Sequence, residues 1–117
     1  MKTQSLEDLQ KKLADFAKAR NWDKFHSPKN LSIALPVEAS ELIEIFQWLT
    51  EEESKNLNPN QLTGAEQEVA DVFLYLLQLA DKLNINILEA AYKKFEINDN
   101  KYPIETCFGS SKKYTEL

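Results

Sequence analysis

The chain has 117 residues, 43% hydrophobic and 28% charged, which suits one soluble domain able to bury about two thirds of the surface its unfolded form exposes. Its 19 acids against 14 bases leave a net charge of -5, which argues against non-specific binding to nucleic acid or to a membrane surface. Only 2 glycines and 4 prolines leave too few turn-makers for many short strands, so an all-α fold in a single domain, residues 1–117, is expected.

In chain order, Ser5 caps a first helix that carries Leu6, Leu9, Leu13, Phe16 and Ala17 at helical spacing and ends near Arg20. Trp22, Phe25, His26 and Pro28 form a short aromatic connection. A second helix covers about residues 30 to 50, with Leu31, Leu35, Leu42, Ile45 and Leu49 along one seam. Glu38 occupies the seam position where an apolar residue is expected, and Pro36 predicts a kink just before it. The acidic stretch from Glu51 to Gln61 reads as a solvated loop, with Thr63 capping the third helix.

That third helix runs to about Leu83, with Ala65, Val69, Val72, Leu76, Leu79 and Leu83 on one stripe and Phe73, Leu74 and Leu77 on other faces. A helix apolar nearly all round needs cover on all sides, which predicts a homo-oligomer with this helix near the interface. Asn86 caps a fourth helix that ends before Pro103, and Ile104 to Leu117 reads as an extended arm. Met1 leads straight into a charged amphipathic segment, no run approaches the roughly 18 apolar residues of a membrane span, and the lone Cys107 has no internal partner. A reduced, cytoplasmic protein is expected.

The chemistry concentrates in two pairs of acids, Glu38 with Glu41 and Glu68 with Asp71, each spaced i,i+3 inside an apolar segment. Residues three apart share a helix face, so two such helices side by side bring four carboxylates together. Without a cation they would repel one another and suffer desolvation. Oxygen donors lacking His or Cys suit hard cations, Mg²⁺ or Mn²⁺, and Mg²⁺ commonly completes its shell with substrate phosphates. A single helical acid pair is usually solvated surface; two pairs that both intrude on apolar stripes favour the metal. A di-iron bundle wants Glu-x-x-His on two helices, whereas the only histidine, His26, lies outside both pairs.

Several other residues have two readings. Lys94, Asn98 and Lys101 share a face of the fourth helix, with Tyr102 beside them: a phosphate-binding set or a solvated surface. Lys112 and Lys113 belong either to a phosphate-covering arm or to a loose charged terminus. Trp22, Trp48 and Tyr75 can stack on a nucleobase or serve as core and interface residues. His26 can donate to a base or phosphate, or be satisfied by loop backbone.

The pattern Glu38-x-x-Glu41, 26 residues, then Glu68-x-x-Asp71 resembles the signature of the all-α nucleotide pyrophosphatases of the MazG superfamily. The segment from Asn21 to Leu31, with its Trp-x-x-Phe-His-x-Pro, and the stretches Glu41–Trp48, Asp71–Leu76, Asn98 with Lys101-Tyr102-Pro103, and Ser110–Leu117 resemble its dCTP pyrophosphatase branch. The resemblance implies a four-helix bundle assembled into a tetramer. It also implies Mg²⁺-dependent cleavage between the α- and β-phosphates of a nucleoside triphosphate. In that reading Glu38, Glu41, Glu68 and Asp71 hold the metal, Glu41 is the candidate base, Trp22 and Trp48 border the base, Tyr75 lines the sugar and base, and Lys94, Asn98 and Tyr102 approach the phosphates. The chain departs from the branch at Leu13, where animal members place a histidine close to the base. Relatives acting on dUTP or phosphoribosyl-ATP, and a non-catalytic helical oligomer, are the alternatives.

Overall fold

The computed structural model of the chain describes residues 4–116. Met1 and Leu117, on which the leader and arm expectations partly rest, lie outside the described residues. Among those described, every regular element is helical: α1 (Leu6–Ala19), α2 (Pro28–Phe46), α3 (Glu51–Lys55), α4 (Pro59–Lys82), α5 (Ile87–Lys101) and α6 (Ile104–Cys107), with 3₁₀ turns at Asp23–Phe25 and Tyr114–Glu116. None of these helices is long and apolar enough to cross a membrane. The chain divides into two compact units, one through Asn84 and one from Ile85.

Local chemistry sets the helix ends of the first unit. Ser5 accepts from the Asp8 N–H at 3.1 Å and opens α1. Asn21 closes it in the left-handed region, φ 56°, where asparagine is tolerated better than most residues. The Asn21 and Trp22 N–H groups then donate back to Lys18 O and Ala17 O, at 3.1 and 2.8 Å, satisfying carbonyls the helix end would leave open. The chain thereby turns into the aromatic connection, which ends where Ser27 caps α2 by accepting from the Asn30 N–H at 3.2 Å, with Pro28 as the first helical residue. Pro36 lies inside α2, as expected, and the helix runs on through it.

Two expectations fail here, both at helix starts. The stretch after Glu51 is not a loop throughout: Thr50 and Glu53 form a reciprocal capping box that starts α3. Nor does Thr63 cap the next helix. Asn58 and Gln61 form a second capping box, Pro59 is the first residue of α4, and Thr63 sits within the helix with its hydroxyl donating to Pro59 O.

The most extensive packing in the molecule runs between α2 and α4, with α1 laid on α4 beside it. Leu31 of α2 and Leu77 of α4 are fully buried, and Ala17, Ala65 and Ala80 are the other buried residues. Three alanines among five buried positions let the helix axes approach closely. The core is correspondingly small.

In the second unit Asn86 caps α5 by accepting from the Glu89 N–H. Residues after Pro103 are not simply extended: they form the single turn of α6 and, at Tyr114–Glu116, a 3₁₀ turn. The Tyr114 ring meets Tyr102 edge-on at 6.1 Å and carries the Lys101 ammonium 4.7 Å above its centroid. No side chain of this unit's helices is buried.

Candidate active site

The packing of α2 on α4 turns the two acid pairs toward one another. Carboxylate oxygens of Glu38, Glu41 and Glu68 all lie within 4.8 Å of each other, a separation one cation can span. All three side chains are half-buried, whereas Asp71 is exposed at the edge of the group. Burial lifts the Glu38 carboxyl above its ordinary range, helped by the charges of Glu41 and Asp71. Glu68 is lifted first by hydrogen bonding to the Glu41 carboxyl and then by burial and the surrounding acids. One Glu68 oxygen, Oε2, is buried and has no hydrogen-bond partner.

Buried polar atoms are rarely left orphaned, so that oxygen marks a position where a bound group is missing a place in the network. The donor set is entirely oxygen, and the residues therefore fit a hard divalent ion, Mg²⁺ or Mn²⁺. Gly64, one turn before Glu68 on α4, faces Ile45 of α2; a Cβ there would sit 3.6 Å from Ile45 Cδ1, an ordinary contact.

Beside the acids lies a cavity of about 350 Å³, toward the small end of the roughly 300–1,000 Å³ usual for ligand pockets. One wall comes from α1 and the aromatic connection, through Leu9, Lys12, Leu13, Phe16, Trp22 and His26. The other comes from α4, through Asp71, Leu74, Tyr75 and Gln78. Trp22 stands edge-on to Phe16 with ring centroids 5.7 Å apart, and Arg20 covers the other ring with its guanidinium 3.5 Å from the Phe16 centroid. Burial, then the charges of Glu38, Asp71 and Glu41, raise the Tyr75 phenol, so its hydroxyl stays a hydrogen-bond donor at neutral pH.

Of the residues singled out in the sequence, Glu38, Glu41 and Glu68 come together, and Asp71, Trp22, His26 and Tyr75 line the cavity next to them. Trp48 does not line it and is 87% exposed just past α2. Lys94, Asn98, Lys101, Tyr102, Lys112 and Lys113 all belong to the second unit, where Lys94, Asn98, Lys112 and Lys113 are exposed and Lys101 and Tyr102 pack on Tyr114. Lys12 and Gln78 are cavity residues that pattern-reading passed over, since a lysine and a glutamine on amphipathic helices carry no signal of their own. Leu9 and Phe16 are visible in the sequence only as apolar stripe positions and Leu74 only as an apolar residue on another face of its helix, whereas Leu13 stands out as the position of a histidine in the animal members of the branch.

A model of the MazG-like family matches residues 33–117. The chain belongs to the MazG-like family. It is 39% identical over 115 residues to dCTP pyrophosphatase 1 of Homo sapiens, and 36% identical over 115 residues to that of Bos taurus; each match covers 97% of this chain and 68% of the relative. Its fold is similar to that of a pyrophosphatase from Archaeoglobus fulgidus, with a TM-score of 0.80 and 39% identity, covering 88% of this chain and 96% of that one. The acid quartet of this MazG-like chain thus sits on the helix pair, α2 and α4, that forms the main packing contact of its first unit.

Proposed function

We propose that the chain is a divalent-metal-dependent nucleoside triphosphate pyrophosphohydrolase, acting on dCTP or a modified dCTP to give the monophosphate and pyrophosphate. The observation that carries this reading is Asp71, which lines the apolar cavity and also acts electrostatically on Glu38 and Glu68. A cavity fit for a base and a carboxylate cluster fit for a phosphate-bound cation are therefore contiguous. The names of the relatives and of the solved pyrophosphatase point the same way.

In this reading Glu38, Glu41, Glu68 and Asp71 hold Mg²⁺, with Mn²⁺ as substitute. The bound ion supplies the positive charge that offsets the triphosphate. Trp22, His26 and Tyr75 receive the base and sugar, the indole face by stacking and the phenol by donating a hydrogen bond. Glu41, between Glu38 and Glu68, is placed to take a proton from the attacking water, whose oxygen bonds the α-phosphorus while pyrophosphate leaves. Lys94, Asn98, Lys101, Tyr102, Lys112 and Lys113 are assigned to the phosphates by charge and donor chemistry alone. The role is removal of surplus or modified deoxycytidine triphosphate from a cytoplasmic nucleotide pool.

We further assign the whole of residues 1–117 to one domain, supported by a family match that crosses the boundary between the two units. The working state is a homo-oligomer, taken to be a tetramer. Exposed apolar side chains at helical spacing support assembly: Val69, Phe73 and Leu76 on α4, and Leu88, Tyr92 and Phe95 on α5. Trp48, as exposed as it is, meets a base only once another surface covers it.

The deciding experiment is product analysis of dCTP incubated with the protein and Mg²⁺, with and without a chelator. Pyrophosphate with dCMP, lost on chelation, upholds the proposal; orthophosphate with dCDP, or no turnover, refutes it. A panel of standard and 5-substituted triphosphates then ranks the substrates.

A further inference from the structure

Among the described residues only two side-chain hydrogen bonds join parts of the chain more than five residues apart, and both connect the two walls of the same cavity. Gln10 Nε2 of α1 donates to Leu77 O of α4 at 3.1 Å, across 67 residues. Lys82 Nζ, at the last residue of α4, donates to Asp23 Oδ1 in the aromatic connection, across 59 residues. Every other bond holding that connection is local: Phe25 N–H to Trp22 O, His26 N–H to Asp23 O, and Asn30 Nδ2 to Phe25 O.

The connection has no buried residue, so packing does not fix it. Trp22 and His26 nevertheless form its share of the cavity, the first next to Asp23 in sequence and the second donating its N–H to Asp23 O. Leu77 and Lys82 flank Gln78, which lines the opposite wall. The hydrogen bond and charge of Lys82 hold the Asp23 carboxyl below its ordinary range, consistent with a formed pair.

We propose that Asp23 and Lys82 are positioning residues: their ion pair, seconded by the Gln10–Leu77 bond, sets the separation of the two cavity walls and so fixes the affinity and selectivity for the nucleobase. This rests on the reading that the cavity takes the base. Neither residue belongs to the acid cluster or is among the charges that act on Glu38 and Glu68, so the proposal leaves the phosphate chemistry to the acids. The pair is partly exposed, with the Lys82 side chain 33% and the Asp23 side chain 58% accessible, which limits its effect to a modest one.

The test compares wild type with Lys82→Met, Asp23→Asn and the reversed pair Asp23→Lys with Lys82→Asp, using dCTP and the other pyrimidine triphosphates with Mg²⁺. The expected result is a KM for dCTP raised about threefold to fivefold in the single variants, kcat within about twofold, narrower discrimination between bases, and recovery in the reversed pair. Unchanged KM, a joint fall of kcat with KM unmoved, or a reversed pair no better than the single variants would overturn the clamp. An active wild type beside indifferent variants overturns the clamp and leaves the catalytic reading standing. A second measurement does not need turnover: in a Trp48→Phe background, acrylamide quenching reports on Trp22 alone. Lys82→Met should increase that quenching, and quenching equal to that of the unmutated pair refutes the clamp even if the wild type proves inactive.

Discussion

The first unit brings its acids together through its own contacts, while none of the described residues of the second is buried. In the first, α2 and α4 pack along their length and the acids converge as a by-product of that packing. In the second, Tyr92 and Phe95 are 69% and 70% exposed and Phe108 is 90% exposed; Lys94 and Lys101 lie on α5, and Lys112 and Lys113 lie outside any helix. The difference teaches that the carboxylate cluster forms within one chain, whereas the large apolar side chains of α5 stay exposed. Helices that expose a continuous apolar stripe rarely persist alone.

The sharpest way to separate the two regions is to remove one acid. Glu68→Gln or Glu38→Gln should lower turnover by about 10²–10³-fold while far-ultraviolet circular dichroism remains that of the wild type. In the absence of metal the same variants should melt higher, because each deletes a charge whose burial is uncompensated. An acid variant that keeps full activity removes that residue from the site. Asp71→Asn, at the exposed edge of the cluster, should lose activity with a smaller gain in stability.

A second prediction sets the two units against each other through packing. Leu77→Ala empties a fully buried position and should cost about 2–5 kcal/mol in chemical denaturation. Phe95→Ser should leave the local helix content largely unchanged and instead shift the molar mass seen by light scattering toward the single chain. If Phe95→Ser assembles as the wild type does, the apolar face of α5 is not part of the interface.

The third prediction concerns pH. Glu38 and Glu68 have folded-state pKa values raised above the ordinary value of 4.5, so the fold favours their protonated forms. Their contribution is fully present below the unfolded carboxylate range and is lost as pH climbs through the raised folded values. Metal-free protein should therefore melt lower at neutral pH than near pH 4.5 as far as these groups are concerned. Mg²⁺ should restore the melting temperature at neutral pH in a concentration-dependent way, since a ligand that binds only the folded state stabilises it. Scanning calorimetry with and without chelator distinguishes this from an Mg²⁺-independent pH response.

Much of this architecture was legible because the apolar stripes of α1, α2 and α4 follow the helical period over many residues, because Asn86 and Pro103 bracket α5, and because Glu38 interrupts its stripe. The helix starts were less legible. Pro28 falls in the expected connection and Pro59 in the expected loop, yet each follows a capping residue, Ser27 or Asn58, and occupies the first helical position where its missing N–H is no loss. The capping box of Thr50 and Glu53 was hidden by the run of acids around it, which reads as solvated loop although acids favour a helix's first turn. The cavity was only half legible, for a different reason. Sequence can say that Trp22, His26 and Tyr75 are suited to a base, but that Leu13 and Gln78 face them depends on how α1 lies on α4, which no local pattern records.

The smallest effect expected is at Gly64, and it tests how tightly the α2–α4 contact constrains the site. A glycine in a helix interior costs about 0.5–1 kcal/mol relative to alanine through backbone entropy. At this position the added methyl would meet Ile45 Cδ1 at 3.6 Å, which is contact without compression. Gly64→Ala should therefore stabilise the protein by several tenths of a kcal/mol, about the propensity difference, and leave turnover unchanged. Activity lost without a loss of stability would mean that α2 and α4 must slide closer during catalysis than they stand at rest, and that the glycine serves the acids and not the helix.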